Sequence, residues 1–266
     1  MRALAPEGWP RADTLIPMSN QTDKPDYGVD APGAMRTLFL IGIAFLLVAI
    51  FAPRIFPGAA AIIVVSRILY WPAGFLIAEG LLFVLYVKVG KFRQRDLLLG
   101  LHTWRGDEQV LDVGCGRGLL LADAAKRIAA LNGTGHVTGI DLWSNVDMGG
   151  NSAAATQRNL ELEGVQRLCT LVSMPAQEMP FPDASFDLIV SNLCLHNISD
   201  RVARRRAVDQ IARVLKPGAT AILSDFKFTG QYAAQLRELG FSIQKRRGGI
   251  VTAFAWLTVV IARKPI

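Results

Sequence analysis

The sequence predicts a doubly wound α/β domain with a mainly parallel sheet, carried behind a pair of transmembrane helices. Short apolar runs alternate with helical patterns from residue 107 onward, and that alternation favours parallel strands with helices on both faces. One run, Val110 to Val113, breaks into a Gly-x-Gly turn followed by a helical stretch. Two long, almost uncharged segments precede Lys88.

The predicted strands cover residues 109–113, 137–141, 169–172, 186–191, 219–224, 241–245 and 256–262. Helices are expected over 119–130, 153–162, 201–215 and 231–239. Val208, Ile211, Ala212 and Leu215 fall at i, i+3, i+4 and i+7, so one stripe of the third of these helices faces the sheet. Gly164 stops the second helix, and Pro217-Gly218 the third.

The glycine turn carries most of the functional information. Gly114, Gly116 and Gly118 remove the Cβ atoms that would keep a ligand from the backbone. The helix that follows offers unpaired N–H groups at its start. A dinucleotide loop reads Gly-x-Gly-x-x-Gly/Ala. Here the third position is Leu119, and the small residue stands one place early, at Gly118. Asp112, just before the turn, suits a cationic group better than a pyrophosphate. A second short strand ends in Asp141, and an acid there can accept hydrogen bonds from ribose hydroxyls.

The order Val-Leu-Asp-Val-Gly-Cys-Gly-x-Gly, then Gly-Ile-Asp, resembles the class I S-adenosylmethionine-dependent methyltransferases. Residues 181–192 and 214–219 resemble that family's fourth strand and the turn before its fifth, so the resemblance runs over about 107–264. It implies a Rossmann-like sheet of seven strands with the last one antiparallel, and S-adenosyl-L-methionine as cofactor. The turn Gly114, Cys115, Gly116 and Gly118 would lie against the methionine part, with no chemistry for the thiol. Asp112 would orient the cofactor's ammonium group, directly or through water. Asp141 would hold the ribose, Leu142 and Trp143 would flank the adenine, and Asn192 would sit beside the cofactor. Many relatives carry a Gly-Asp-Ala segment whose Asp contacts the adenine amino group. This chain has Pro175, Ala176, Gln177 and Glu178 there, so Ala176 and Gln177, or a backbone amide, stand in.

Hydrophobic residues make up 51% of the 266, and mean hydropathy is +0.31, high for a soluble enzyme. The excess lies before Lys88. Residues 37–53 carry no charge and 68–87 only Glu79, each close to the ~20 residues that cross a bilayer. A buried core hairpin is the competing explanation. Residues 56–65 either extend the second helix or lie in the interface. Lys88, Lys91, Arg93 and Arg95 follow the second run and predict a cytoplasmic exit, hence a catalytic domain facing the cytoplasm. The expected organisation is a disordered tail over 1–36, a two-helix membrane anchor over 37–87, a basic connector over 88–106 and the methyltransferase domain over 107–266. Net charge is +7; with spans attached, anionic lipid headgroups are a simpler partner for the basic face than nucleic acid. Cys115, Cys169 and Cys194 are widely spaced, without a metal-ligand pattern, and no metal is expected.

A nitrogen, oxygen or carbon nucleophile accepting a methyl group can need a base. His196, just past the fourth strand, is the best-placed candidate, and Asp225, ending the fifth, is the second. Loop ordering by His196 is the plainer alternative. The expected acceptor is small and lipophilic, such as a lipid headgroup or quinone-like ring. A nicotinamide-dependent oxidoreductase and a non-enzymatic membrane interaction module with a closed crevice are the competing functions. The loops at 144–152, 193–200 and 248–254, with the stretch after Phe226, are the segments available to roof the pocket.

Overall fold

A computed structural model describes residues 24–144, 148–248 and 257–266. The expected tail over 1–23, the middle of the 144–152 loop and most of the 248–254 loop lie outside the described residues.

The sheet has seven strands in the order β3-β2-β1-β4-β5-β7-β6. They are β1 (Gln109–Val113), β2 (His136–Asp141), β3 (Cys169–Ser173), β4 (Phe186–Asn192), β5 (Leu215–Asp225), β6 (Ser242–Arg247) and β7 (Thr258–Arg263). The pairs β1–β2, β1–β4, β2–β3 and β4–β5 are parallel, and β7 runs antiparallel to both β5 and β6. Strand periodicity splits the core in two. Leu111, Val113 and Ile189 join one apolar cluster, whereas Val110, Leu188 and Val190 join the other. The strand order reverses beside β1, between β1 and β4, which places a crevice at the carboxyl ends of these strands.

Seven α-helices accompany the sheet among the described residues: α1 (Pro32–Ile55), α2 (Ala60–Leu85), α3 (Lys91–Leu99), α4 (Leu119–Ala130), α5 (Ala153–Leu162), α6 (Arg201–Val214) and α7 (Thr229–Glu238). Helix α6 ends at Val214, and β5 begins at once, four residues earlier than expected. Lys264 caps this junction. Its Nζ donates to the carbonyls of Ala212 and Leu215 at 2.7 Å each, satisfying acceptors that a helix end leaves bare.

Helices α1 and α2 pack on each other as a hairpin. Gly42 and Gly80 permit the close approach: a Cβ on Gly42 would stand 2.9 Å from Ile77, and one on Gly80 2.8 Å from Phe39. Only 11% of the most apolar window of α1 is buried, and 17% of that of α2. Leu40, Phe51, Trp71 and Phe75 stand in the open. The hairpin is therefore not a core element of the domain. Residues 60–65 belong to α2, which continues through a π-helical turn, Tyr86–Gly90, into α3 as one 40-residue rod. The connector docks firmly. Leu98 and Leu99 are fully buried in the domain's second apolar cluster, and Gln94 Nε2 donates to Ser224 Oγ at 3.0 Å.

Residues 24–31, expected to be part of a disordered tail, instead form a strap over the domain. Asp26 and Asn159 exchange two hydrogen bonds, at 2.9 and 2.8 Å. The Tyr27 hydroxyl donates to Glu163 at 2.6 Å, and Lys91 Nζ donates to the carbonyls of Tyr27 and Gly28 at 3.0 and 2.6 Å. These long-range contacts order a segment that has no periodicity of its own.

Candidate functional site

The glycine turn is held from both sides. The N–H groups of Gly114 and Cys115 donate to Ile140 O at 2.8 and 3.1 Å, and Thr156 of α5 donates to Gly116 O at 2.7 Å. Gly114, Gly116 and Gly118 have φ of +75°, +50° and +84°, a region that only glycine enters without strain. Asp141, at the end of β2, ties the turn to the next loop. Its Oδ2 accepts from Gly116 N at 2.8 Å, and its Oδ1 from Trp143 N at 2.6 Å and Asn151 Nδ2 at 3.2 Å.

These groups open onto a cavity of about 540 Å³ at the carboxyl ends of the strands. Of the sequence-predicted residues, Gly114, Gly116, Asp141, Leu142, Ala176, Gln177, Asn192 and His196 line it. Ala31, Phe83, Tyr86 and Phe226 add an apolar portion. Among the described residues no side chain plugs the cavity, contrary to what a closed interaction module would require.

Other predicted residues lie outside the cavity lining. Gly118 serves packing: a Cβ there would meet Thr156 Cγ2 at 3.0 Å. Cys115 is buried, and burial, then the charges of Asp112 and Asp141, push its thiol well above the usual range. Trp143 turns away with φ +58°, and its indole N–H donates to Ser173 Oγ at 2.6 Å. Leu142, Met174, Ala176 and Gln177 form the wall where an adenine was expected.

Asp112 is the larger correction. It shares the strand face of Val110, which looks toward α4, and is 2% exposed. Its Oδ2 has no hydrogen-bond partner among the described residues. Burial, and secondarily the charge of Asp141, raise its carboxyl from 3.8 to about 8. It is not among the residues that line the cavity. The raised value has a consequence for stability. An unfolded chain loses this proton near pH 4, whereas the folded one keeps it to about pH 8. The group therefore costs stability progressively across that window and fully above it. Asp112→Asn is expected to raise the melting temperature at pH 8 by about 5 °C or more, with the gain shrinking toward pH 4. Thermal unfolding of both proteins at the two pH values measures it.

Asp225 sits behind the cavity, 2% exposed. Its Oδ2 accepts from His196 N at 3.0 Å and from the Tyr232 hydroxyl at 3.4 Å, and its Oδ1 from Phe226 N at 2.9 Å. Its Oδ1 is also 2.7 Å from His196 Nδ1, but out of line for a hydrogen bond, so Nδ1 has no such partner among the described residues. Asp225 thus fixes the loop that carries His196 and does not itself face a substrate.

Residues 111–223 match the family profile described as a methyltransferase domain. The chain carries a class I S-adenosylmethionine-dependent methyltransferase domain. The match favours the methyl-donor reading of the glycine turn over the nicotinamide one. The chain is 34% identical over 134 residues to 27-O-demethylrifamycin SV methyltransferase of Amycolatopsis mediterranei, covering 50% of this chain and 44% of that one. It is 30% identical over 132 residues to the chloroplastic 2-phytyl-1,4-beta-naphthoquinone methyltransferase of Arabidopsis thaliana, covering 48% and 47%. The chain spans about half the length of the curated relatives it matches. Among solved structures the fold is shared with the [4+2]-cyclase SpnF, at TM-score 0.52 and 22% identity, covering 66% of this chain and 81% of that one. A methyltransferase fold alone thus does not dictate the reaction.

Two features suit the domain's cofactor. The buried Oδ1 of Asn192 lacks a hydrogen-bond partner among the described residues, and it lies on the cavity beside Gly114. Two backbone glycines and a carboxylate at the end of β2 line the same cavity, which matches a nucleoside with a short polar tail.

Proposed function

We propose that the protein is a membrane-anchored methyltransferase whose acceptor is small and lipophilic. The observation that carries this is the composition of the cavity: the Gly114–Gly116 backbone closes one part, while Phe83 and Tyr86, at the end of the apolar hairpin, line another. The rod that carries the apolar surface therefore also shapes the pocket. Quinone methylation by a relative that matches half of this chain supports an apolar ring as acceptor. The exposed apolar surface of α1 and α2 supports a bilayer as their surroundings. Lys88 and Arg93, exposed below α2, and Arg36 at the start of α1 support placing the domain on the cytoplasmic side.

When bound, S-adenosyl-L-methionine supplies a methyl group already activated by its sulfonium. The protein's contribution is position and exclusion of water. Phe83, Tyr86 and Phe226 exclude water from the acceptor portion, and Asn192 and the glycine turn fix the cofactor portion. His196 takes the acceptor's proton where the acceptor atom carries one. Nδ1 is buried 2.7 Å from Asp225 Oδ1, so Nε2 is the ring nitrogen left for that proton. His196→Ala is expected to lower kcat by about 100-fold and to leave cofactor affinity within about twofold. A kcat within a factor of about three would assign the rate to proximity alone.

The decisive experiment uses the full chain in nanodiscs, methyl-labelled cofactor and an extract of the host's own membranes. Label is expected in an organic-soluble product one methyl group heavier than its precursor. Label confined to water-soluble products would reject the lipophilic acceptor, and failure to bind the cofactor at millimolar concentration would reject the enzyme itself.

A further inference from the structure

We propose that Asp30, on the strap ahead of α1, is the carboxylate that receives the α-ammonium group at the amino-acid end of the cofactor. The proposal rests on the reading of the cavity as an S-adenosylmethionine site and adds a residue from outside the 111–223 match.

Asp30 lines the cavity, and its buried Oδ2 has no hydrogen-bond partner among the described residues. The strap places it over the glycine turn. Asp30 forms an antiparallel bridge with Met148, and Met148 Cε lies 3.0 Å from where a Cβ on Gly116 would be. Gly28, two residues earlier, packs against Arg117, the next residue of the turn. The carboxylate therefore stands at the end of the cavity where the turn would hold the methionine part.

The other carboxylates near the turn are committed elsewhere. Asp112 faces α4 and does not line the cavity. Asp141 stands at the end of β2, where the ribose is expected, and also accepts from Gly116 N, Trp143 N and Asn151. The nearest cation to Asp30 is Lys91, whose Nζ is 3.8 Å from Oδ2 and donates instead to Tyr27 O and Gly28 O. A carboxylate that is 22% exposed and has one oxygen buried without a hydrogen-bond partner is costly to ionise unless a charged donor arrives. Burial accordingly pushes the Asp30 carboxyl up, and the Lys91 charge only partly offsets it. An ammonium group supplies the missing charge and a direct N–H donor.

The strap also holds the carboxylate in place. Arg117 Nη1 lies 3.0 Å from Asp26 Oδ2, and the Asp26–Asn159 and Tyr27–Glu163 hydrogen bonds fix the backbone on α5 and its C-terminal end. Asp30 is presented from an anchored segment, so the ammonium group would meet a carboxylate already positioned.

Calorimetric titration of the detergent-solubilised full chain tests this with two probes. S-adenosylhomocysteine carries the amino-acid end; 5′-methylthioadenosine keeps the nucleoside and thioether and lacks it. Asp30→Asn is expected to weaken S-adenosylhomocysteine about 10- to 100-fold and to leave 5′-methylthioadenosine within about twofold. Asp30→Ala should show the same selectivity. Unchanged S-adenosylhomocysteine affinity would overturn the proposal, and so would equal loss of both probes, which would make Asp30 a structural part of the strap. A wild-type protein that binds neither probe would overturn the cofactor reading as well.

Discussion

Gly114→Ala destroys cofactor binding and destabilises the fold by about 2–5 kcal/mol, the sum expected for overpacking and a left-handed alanine. The geometry leaves little room to relax. A Cβ at Gly114 would stand 2.2 Å from Cys194 Sγ and 2.4 Å from Cys194 Cβ, at a backbone φ of +75°. Rotating the thiol aside relieves the first contact but not the second. Either β1's turn or the loop after β4 must move, and both line the cavity. Gly118→Ala is the useful contrast. Its φ is +84°, yet its nearest contact is Thr156 Cγ2 at 3.0 Å, so a shift of a few tenths of an ångström relieves it. Chemical denaturation and S-adenosylhomocysteine titration of the two variants should rank them in that order. The double variant Gly114→Ala, Cys194→Gly should recover part of the stability, because it removes the steric component and leaves the backbone strain. No recovery would mean that the clash does not govern the loss.

That contrast also shows which parts of the site could be read from sequence. The three glycines stand out as a group, but their tasks differ. Gly114 and Gly116 lie on the cavity, whereas Gly118 admits α5 against the turn. Helix α5 begins more than thirty residues later, so nothing local announces that contact. Asp112 and Asp225 stay off the cavity lining for a related reason. Each is an acid at the end of a strand, where a ligand-facing role is natural, but facing depends on strand phase. Asp112 shares the face of Val110 and is sealed beneath α4. Asp225 has its oxygens on Tyr232, Phe226 and the backbone of His196. The sheet itself was legible because its strands are apolar and punctuated by glycine. The strap was not. Residues 24–31 contain Tyr27 and two acids without any period, and their order comes from Asn159, Glu163 and Lys91, far away in sequence. One clue was available: an aromatic between acids, shortly before an apolar helix, in an otherwise polar stretch.

Asp141→Ala raises the dissociation constant for S-adenosylhomocysteine by about 100-fold or more, from the loss of charged hydrogen bonds worth ~1.5–3 kcal/mol each. Two mechanisms contribute, and they separate experimentally. The carboxylate at the end of β2 is the acceptor proposed for the ribose hydroxyls, so its removal costs direct contacts. It also organises the site before any ligand arrives, by accepting from Gly116 N, Trp143 N and Asn151 Nδ2. Without it, Gly116 N loses its partner and the loop beginning at Leu142 is no longer tied to the turn. Asp141→Asn distinguishes the two. An amide oxygen can still serve one N–H group but cannot serve all three as an anion does, and its NH₂ would be directed at donors. The expected order of affinity is therefore wild type, then Asn, then Ala. Hydrogen exchange at Gly116 and Trp143 should rise in both variants in the absence of ligand. If exchange at those amides stays at the wild-type level while affinity falls, Asp141 acts through the ribose alone and the turn is rigid without it. If the Ala variant binds S-adenosylhomocysteine as tightly as the wild type, the end of β2 does not contact the nucleoside, and the cofactor must lie elsewhere in the cavity.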